Sequence, residues 1–234
     1  MAIEIRDLGL VINKNVLVLA DFHIGLEEAL NKEGVLVPRN QFRDIVERLK
    51  KILGKTKFRK IIINGDLKHE FGTISKQEWS QTLLLIDMLS RHAEKIILIK
   101  GNHDTILGPI AEKRKVEVAD EIMVGKILIC HGHKLTKSKN FQKAETIIIG
   151  HEHPSISIRE GARAEKFKCF LFGSYKGKDL IVMPSFNPLV EGADVTREKV
   201  LSPYIKNVGD FRAVVVSDDG KTYDFGKIRD IKNV

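Results

Sequence analysis

Apolar residues fall along this chain in two different rhythms. In the first half, solid runs of Ile, Leu and Val alternate with longer stretches in which apolar positions recur at helical spacing. Residues 16–20 read as a buried strand and 24–32 as a short helix behind it. Phe42, Ile45, Val46, Leu49, Ile52 and Leu53 share one helical face. They predict an amphipathic helix over about 38–53, with Pro38 at its start and Gly54 at its end. Residues 60–64 form the next buried run. Ser75-Lys76-Gln77-Glu78 has the capping-box pattern and opens a helix to about His92, with Trp79, Leu83 and Ile86 on its inner face. Residues 95–99 are again a strand.

After residue 115 the texture changes to short β runs at 116–119, 126–130, 146–149, 156–159, 167–172, 180–183, 213–217 and 222–225. Residues 184–208 lack periodicity and carry Pro184, Pro188, Gly192 and Pro203. They read as a long loop, and loops of that length are commonly functional. A βαβ half followed by a β-rich half predicts an α/β fold with two mixed β-sheets packed face to face and helices outside, a four-layer αββα sandwich. The connections are short enough for residues 1–234 to make one domain.

Composition narrows the class further. Hydrophobic residues make up 43% of the 234, enough for a sizeable core. No stretch approaches the roughly 18 apolar residues of a membrane span, and the first apolar run stops at Asp21 without a signal-peptide pattern. Two cysteines, Cys130 and Cys169, offer neither a disulfide framework nor a CxxC pair, so a reducing cytoplasm is the expected setting. The net charge of +8 suits phosphate-rich partners, but a heavily charged surface would produce it equally.

Histidine placement carries the chemistry. Of eight histidines, only His92 lies outside five short motifs. These are Asp21-Phe22-His23, Gly65-Asp66-Leu67-Lys68-His69, Gly101-Asn102-His103-Asp104, His131-Gly132-His133 and Gly150-His151-Glu152-His153, each following an apolar run. Ligands at the ends of neighbouring strands can converge on one point and form a metal site. Most of the motifs are weak alone, since Asp-x-His and Gly-Asp end many strands in turns. Gly-Asn-His-Asp is sharper, arising by chance in a chain of this length at roughly the one-in-a-thousand level. Cys130 precedes His131 but should face the opposite side of its strand, as core.

The ordered set resembles the calcineurin-like metallophosphoesterase superfamily, whose pattern is D-x-H, G-D-x-x-[D/H], G-N-H-[D/E], H and G-H-x-H. The match runs over residues 16–154. Ala20-Asp21-Phe22-His23-Ile24-Gly25, with Gly34-Val35-Leu36-Val37-Pro38-Arg39 after it, is similar to archaeal phosphoesterases related to SbcD-type repair nucleases and to bacterial ligase-associated phosphoesterases. The resemblance implies two divalent ions about 4 Å apart, bridged by a carboxylate. It assigns the bridge to Asp66, one ion to Asp21, His23 and His153, and the other to Asn102, His131 and His151. This donor set suits Mn²⁺ first, with Fe, Zn²⁺, Ni²⁺ or Co²⁺ as alternatives.

The reaction so implied is hydrolysis of a P–O bond, preferably of a phosphodiester, by a hydroxide shared between the ions. His103 would stabilise the transition state or protonate the leaving oxygen, and Asp104 would hold its imidazole. His69, with Glu70, would position the bridging region. Arg39 and Asn187 are candidates for substrate contact, and Lys134 and Lys137 read as solvated. Nucleic acid or nucleotides are the favoured substrates. The alternatives are a small-molecule phosphatase or nucleotide hydrolase, and a non-catalytic subunit of a repair complex. About 80 residues follow His153, too few for a separate DNA-capping domain after the second sheet is completed.

Overall fold

Runs of branched aliphatic residues become strands buried on both faces. The protein is described by a computed structural model over residues 1–69, 74–160 and 163–231. The first sheet orders β1 (Ile3–Arg6), β2 (Gly9–Ile12), β3 (Val16–Leu19), β4 (Phe58–Asn64), β5 (Ala93–Ile99) and β6 (Glu117–Ala119) edge to edge. Strands β1 to β3 pair antiparallel, and β3 to β6 pair parallel. The second sheet contains β7 (Glu121–Val124), β8 (Ile127–Cys130), β9 (Thr146–Ile149), β10 (Pro154–Glu160), β11 (Arg163–Tyr175), β12 (Lys178–Val182), β13 (Ala193–Asp194), β14 (Arg212–Val216) and β15 (Thr222–Lys227). Its order is β13-β10-β11-β12-β9-β8-β7, with β14 and β15 added through β11. Both sheets are mixed, as the pattern predicted.

One core joins the sheets. Leu17, Leu19, Ile61 and Ile63 belong to the same buried cluster as Ile129, Ile148, Phe170 and Ile181. The helices α1 (Leu26–Lys32), α2 (Gln41–Leu53), α3 (Lys76–Ser90) and α4 (Gly108–Arg114) follow strands of the first sheet. Ile45 and Leu49 of α2, Ile86 and Leu89 of α3 and Ile110 of α4 lie in that core. Each fully buried aliphatic side chain contributes about 1.5–3 kcal/mol. A second cluster covers the other face of the second sheet. There Ile147, Ile149, Leu171 and Leu180 meet Tyr204, Ile205 and Phe211, with Phe141 of α5 (Lys139–Lys143) at the edge.

Several elements differ from the predicted ones. The second helix starts at Gln41, so Pro38 and Arg39 precede it in a loop. The β1–β2 hairpin, the edge strand β7, and α4 and α5 have no strong period of their own. They form because neighbours pair or pack with them. Ser75 caps α3 by accepting from the Glu78 amide at 3.0 Å, as predicted. The Glu78 carboxylate, however, accepts from the His69 amide at 2.8 Å and so ties the helix to a motif loop.

The long loop closes against the first motif. The Phe186 amide donates to the Ala20 carbonyl at 2.9 Å, and the Ser185 hydroxyl to the Asp21 carbonyl at 2.8 Å. The Asn187 amide group donates to the carbonyls of Phe22 (2.9 Å) and His23 (3.1 Å). Phe186 stacks on Phe22 with centroids 4.8 Å apart. Lys168 holds the loop from behind through the carbonyls of Ser185 (2.8 Å) and Asn187. Asn187 is fully buried, which corrects its assignment to substrate contact: it shapes the Asp21–His23 turn instead. Replacing it with Ala leaves the buried Phe22 carbonyl without this donor. Asn187→Ala should lower unfolding stability by about 1–3 kcal/mol in urea denaturation.

Candidate metal centre

Parallel strands deliver their C-terminal ends to one side, where open α/β sheets form clefts. The motifs follow β3, β4, β5, β8 and β9 immediately. Each must then turn sharply for its side chain to point back over the sheet ends. Asp21, His23, Asp66, His151 and His153 all take left-handed backbone conformations, with φ of 56°, 44°, 45°, 66° and 48°. Non-glycine residues avoid this region, at a cost of order 1–3 kcal/mol each. Two motif glycines are required by close approach. A Cβ on Gly65 (φ 85°) would stand 2.1 Å from His131 Nδ1, and one on Gly101 would stand 1.9 Å from Asp66 Oδ1.

Two donor groups result. Asp21, His23 and His153 form one, and Asp66, His131 and His151 the other, with the ligand atoms of each within 4.8 Å of one another. His153 Nε2 lies 3.4 Å from Asp21 Oδ1 and 3.3 Å from His23 Nε2. His131 Nε2 lies 3.3 Å from Asp66 Oδ2 and 3.0 Å from Asn102 Oδ1. Asp66 Oδ2 is also 3.8 Å from His23 Nε2, so its carboxylate stands between the groups. Ligands at roughly 2.1 Å from a common ion are separated by just such distances. Asp21 Oδ1 is buried and accepts no hydrogen bond among the described residues. His131 Nδ1 donates to the Asn64 carbonyl at 3.2 Å, which leaves Nε2 as the coordinating nitrogen. The residues fit two divalent ions: the two donor groups bring together Asp21, His23, His153, Asp66, His131 and His151, and Asn102 adjoins them at His131.

The side chains alone carry a strained charge balance. Burial opposes charge on His131, yet the hydrogen bond to Asp66 and the Asp21 and Asp66 charges push its pKa up to about 9. Burial would raise the Asp66 pKa, but the bond and charge of His131 and the charge of His23 hold it well below the usual range. His151 goes the other way, down to about 4, through burial and the His131 charge. His23 is lowered by burial and by His153. Neutral imidazoles are the form that binds metal.

The residues around the ligands are arranged differently from the sequence expectation. His103 Nδ1 donates to the His69 carbonyl at 2.6 Å, and its Nε2 is 4.0 Å from Asp66 Oδ2. Asp104 does not hold that imidazole. Its carboxylate accepts from the amides of Gly101 (3.0 Å), Leu67 (3.3 Å) and Lys68 (3.3 Å), because it is buried beneath two motif loops. Burial and then the Asp66 charge push Asp104 up to about 6. The His69 ring stacks on His103 with centroids 5.3 Å apart, and His23, His69 and His103 bring nitrogens within 4.8 Å. Glu70, the expected companion of His69, lies outside the described residues. Arg39 is exposed on the loop before α2.

Other supports were not apparent in the sequence. Lys68 is fully buried and donates to the His103 carbonyl at 2.7 Å. Gln41 donates to the His23 carbonyl at 2.8 Å, and buried Glu27 accepts from the Gln41 amide at 2.8 Å. Glu152, between two ligand histidines, accepts from the amides of Leu201 and Ser202. Lys68 and Glu152 stand inside motifs, which was their only signal, and Gln41 and Glu27 lie outside the motifs and had none.

Comparison with solved structures finds the same fold in a Pseudomonas putida nuclease, MPE. The TM-score is 0.66 at 18% identity, with 94% of this chain and 92% of that one covered. A Vps29 single mutant from Entamoeba histolytica aligns at 17% identity over 90% of this chain and 99% of its own, with a TM-score of 0.39. No curated protein matches the sequence. The sequence profile described as calcineurin-like phosphoesterase matches residues 14–218 and takes in every motif around the two donor groups. The chain therefore belongs to the calcineurin-like phosphoesterases, with a metal-dependent phosphoesterase active site at its strand ends.

Proposed function

We propose that this protein hydrolyses phosphodiesters, with nucleic acid or nucleotides as its substrates and two Mn²⁺ ions as its preferred metals. The observation that carries the reading is Asp66, whose carboxylate belongs to one nitrogen–oxygen donor group, reaches to 3.8 Å from His23 of the other, and has His103 beside it. Such a pair of ions, when bound, supplies positive charge for the phosphoryl oxygens and an activated water. Asp21, His23 and His153 would hold one ion, Asn102, His131 and His151 the other, and Asp66 both.

In this reading His103 handles the leaving group. Its Nδ1–H is committed to a carbonyl, so the proton that moves is the one at Nε2, on the side facing Asp66. His103 and His153 keep 19% of their side-chain surface exposed, while Asp21 and Asp66 are almost closed off, so substrate approaches over these two histidines. Lys68 and Asp104 hold the His103 loop to the Asp66 loop and keep that geometry. The basic balance of +8 favours a polyanionic substrate, and the structural relative from Pseudomonas putida is named a nuclease.

Metal-stripped protein resupplied with Mn²⁺ should hydrolyse bis(p-nitrophenyl) phosphate faster than p-nitrophenyl phosphate. Asp66→Asn should abolish both activities and reduce the number of ions bound, measured by calorimetry. A faster rate on the monoester would replace the diesterase reading with a phosphatase one.

His103→Asn should slow hydrolysis of alkyl diesters by about 10²–10⁴-fold, the usual range for general acid catalysis. Its effect on aryl esters, which need little protonation on leaving, should be much smaller. Equal losses on both ester classes would remove His103 from the acid role.

A further inference from the structure

The loop after β8 carries ligand His131 and continues through Gly132-His133-Lys134-Leu135-Thr136-Lys137. It is fixed along its length. The Ser202 hydroxyl donates to the Gly132 carbonyl at 2.8 Å, and the Thr136 amide donates to the buried Tyr204 hydroxyl at 2.9 Å. Glu121 accepts from the Thr136 and Ser138 hydroxyls and from the Asn140 amide group. Yet Lys134 and Lys137 on this fixed loop are exposed and enter no ion pair or hydrogen bond among the described residues. A fixed loop that carries two unpaired ammonium groups presents them to an anion without first having to be ordered itself.

A cavity of about 290 Å³ lies against the loop, walled by His131, His133, Lys134, Leu135 and Lys137. A second, of about 470 Å³, adjoins it across Lys100, Asp120, His133 and Lys134. Of the acidic side chains in the walls, Glu121 accepts from the loop hydroxyls, Asp104 accepts from backbone amides, and Asp120 lies 4.0 Å from Lys100 of the same walls. His133 is not in either donor group, but its ring is 5.2 Å from His131 and 6.1 Å from His151. Its Nδ1 has no partner among the described residues. The depression thus begins at a metal ligand and runs away from the centre, and its first cavity sets Lys100, Lys134 and Lys137 against Asp120 and Glu121.

We propose that this depression receives the phosphate next to the one being cleaved, with His133, Lys134 and Lys137 as its contacts. The enzyme then grips a polynucleotide over at least two successive phosphodiesters rather than recognising a single ester. This rests on the phosphodiesterase reading of the metal centre. It also makes the cationic loop, rather than the overall charge of the protein, the source of substrate selectivity.

The test compares Mn²⁺-loaded wild type with two double variants, Lys134→Ala with Lys137→Ala and Lys134→Arg with Lys137→Arg. The substrates are a single-stranded oligodeoxynucleotide and bis(p-nitrophenyl) phosphate, which has one phosphate. The Ala pair should lower the ratio of kcat/KM for the oligonucleotide to that for the small diester at least tenfold, through KM. The log–log salt dependence on the oligonucleotide should flatten by roughly 0.7, the contribution of the one phosphate charge that the two lysines no longer neutralise. The Arg pair should keep the ratio within threefold. Equal proportional losses on both substrates, or an unchanged ratio in the Ala pair, would overturn the subsite and leave the diesterase intact. Failure of the wild type to turn over either substrate with Mn²⁺ would overturn both.

Discussion

Asp21 and Asp66 are buried almost completely at the ends of adjacent parallel strands, at 0% and 1% exposure. Burying a carboxylate without compensation costs several kcal/mol even after relaxation, so the surrounding structure has to supply positive charge or hydrogen bonds. Backbone amides supply part of it: His151 donates to Asp21 and His103 to Asp66. His131, held charged up to a pKa of about 9, supplies more. That proton occupies the nitrogen a metal ion would use, so ion and proton compete for one position and the ion is favoured as pH rises. The lowered pKa values of His23 and His151 follow from burial and then from the same crowding, because two more imidazolium charges would repel those already there.

The turns that bring these groups together are held by contacts far away in the chain. Five ligand residues adopt left-handed conformations that a free chain would avoid. Ser185, Phe186 and Asn187 bind the backbone of the first turn, Gln41 binds it from the side, and Lys68 and Asp104 link the second and third. The second core, built on Tyr204 and Phe211, keeps the long loop over the sheet where its Ser202 amide can donate to Glu152. The strain at the centre persists because each strained residue is determined by several contacts at once.

This division explains what was legible in the sequence. The strands that lead to the site are solid aliphatic runs, and each ends at its motif, so the sheets and the five motifs could be read directly, while the donors within them came from the family resemblance. The polar supports could not. Asp104 and Asn187 both stand near motifs or prolines, and both have side chains that bind either substrate or backbone; only the long-range packing decides for backbone. The β1–β2 hairpin and β7 are short, and their strand character comes from the neighbour each one pairs with. Arg39 shows the converse, a residue suited to phosphate that the fold leaves on an exposed loop.

Cys130 shows how the fold also sets the choice of ion. It immediately precedes His131, and a thiolate there would attract soft ions strongly. Strand alternation turns it to the opposite face, into the cluster with Ile147, Ile149 and Tyr204. Its sulfur lies 3.7 Å from the Tyr204 hydroxyl, and burial pushes its thiol up to about 12, so it stays protonated. The same Tyr204 hydroxyl accepts from the Thr136 amide. One buried tyrosine thus stands against the competing ligand and fixes the loop that leads away from His131. The centre is left with imidazole, carboxylate and amide donors, a set that favours ions of intermediate hardness bound at neutral nitrogen and anionic oxygen.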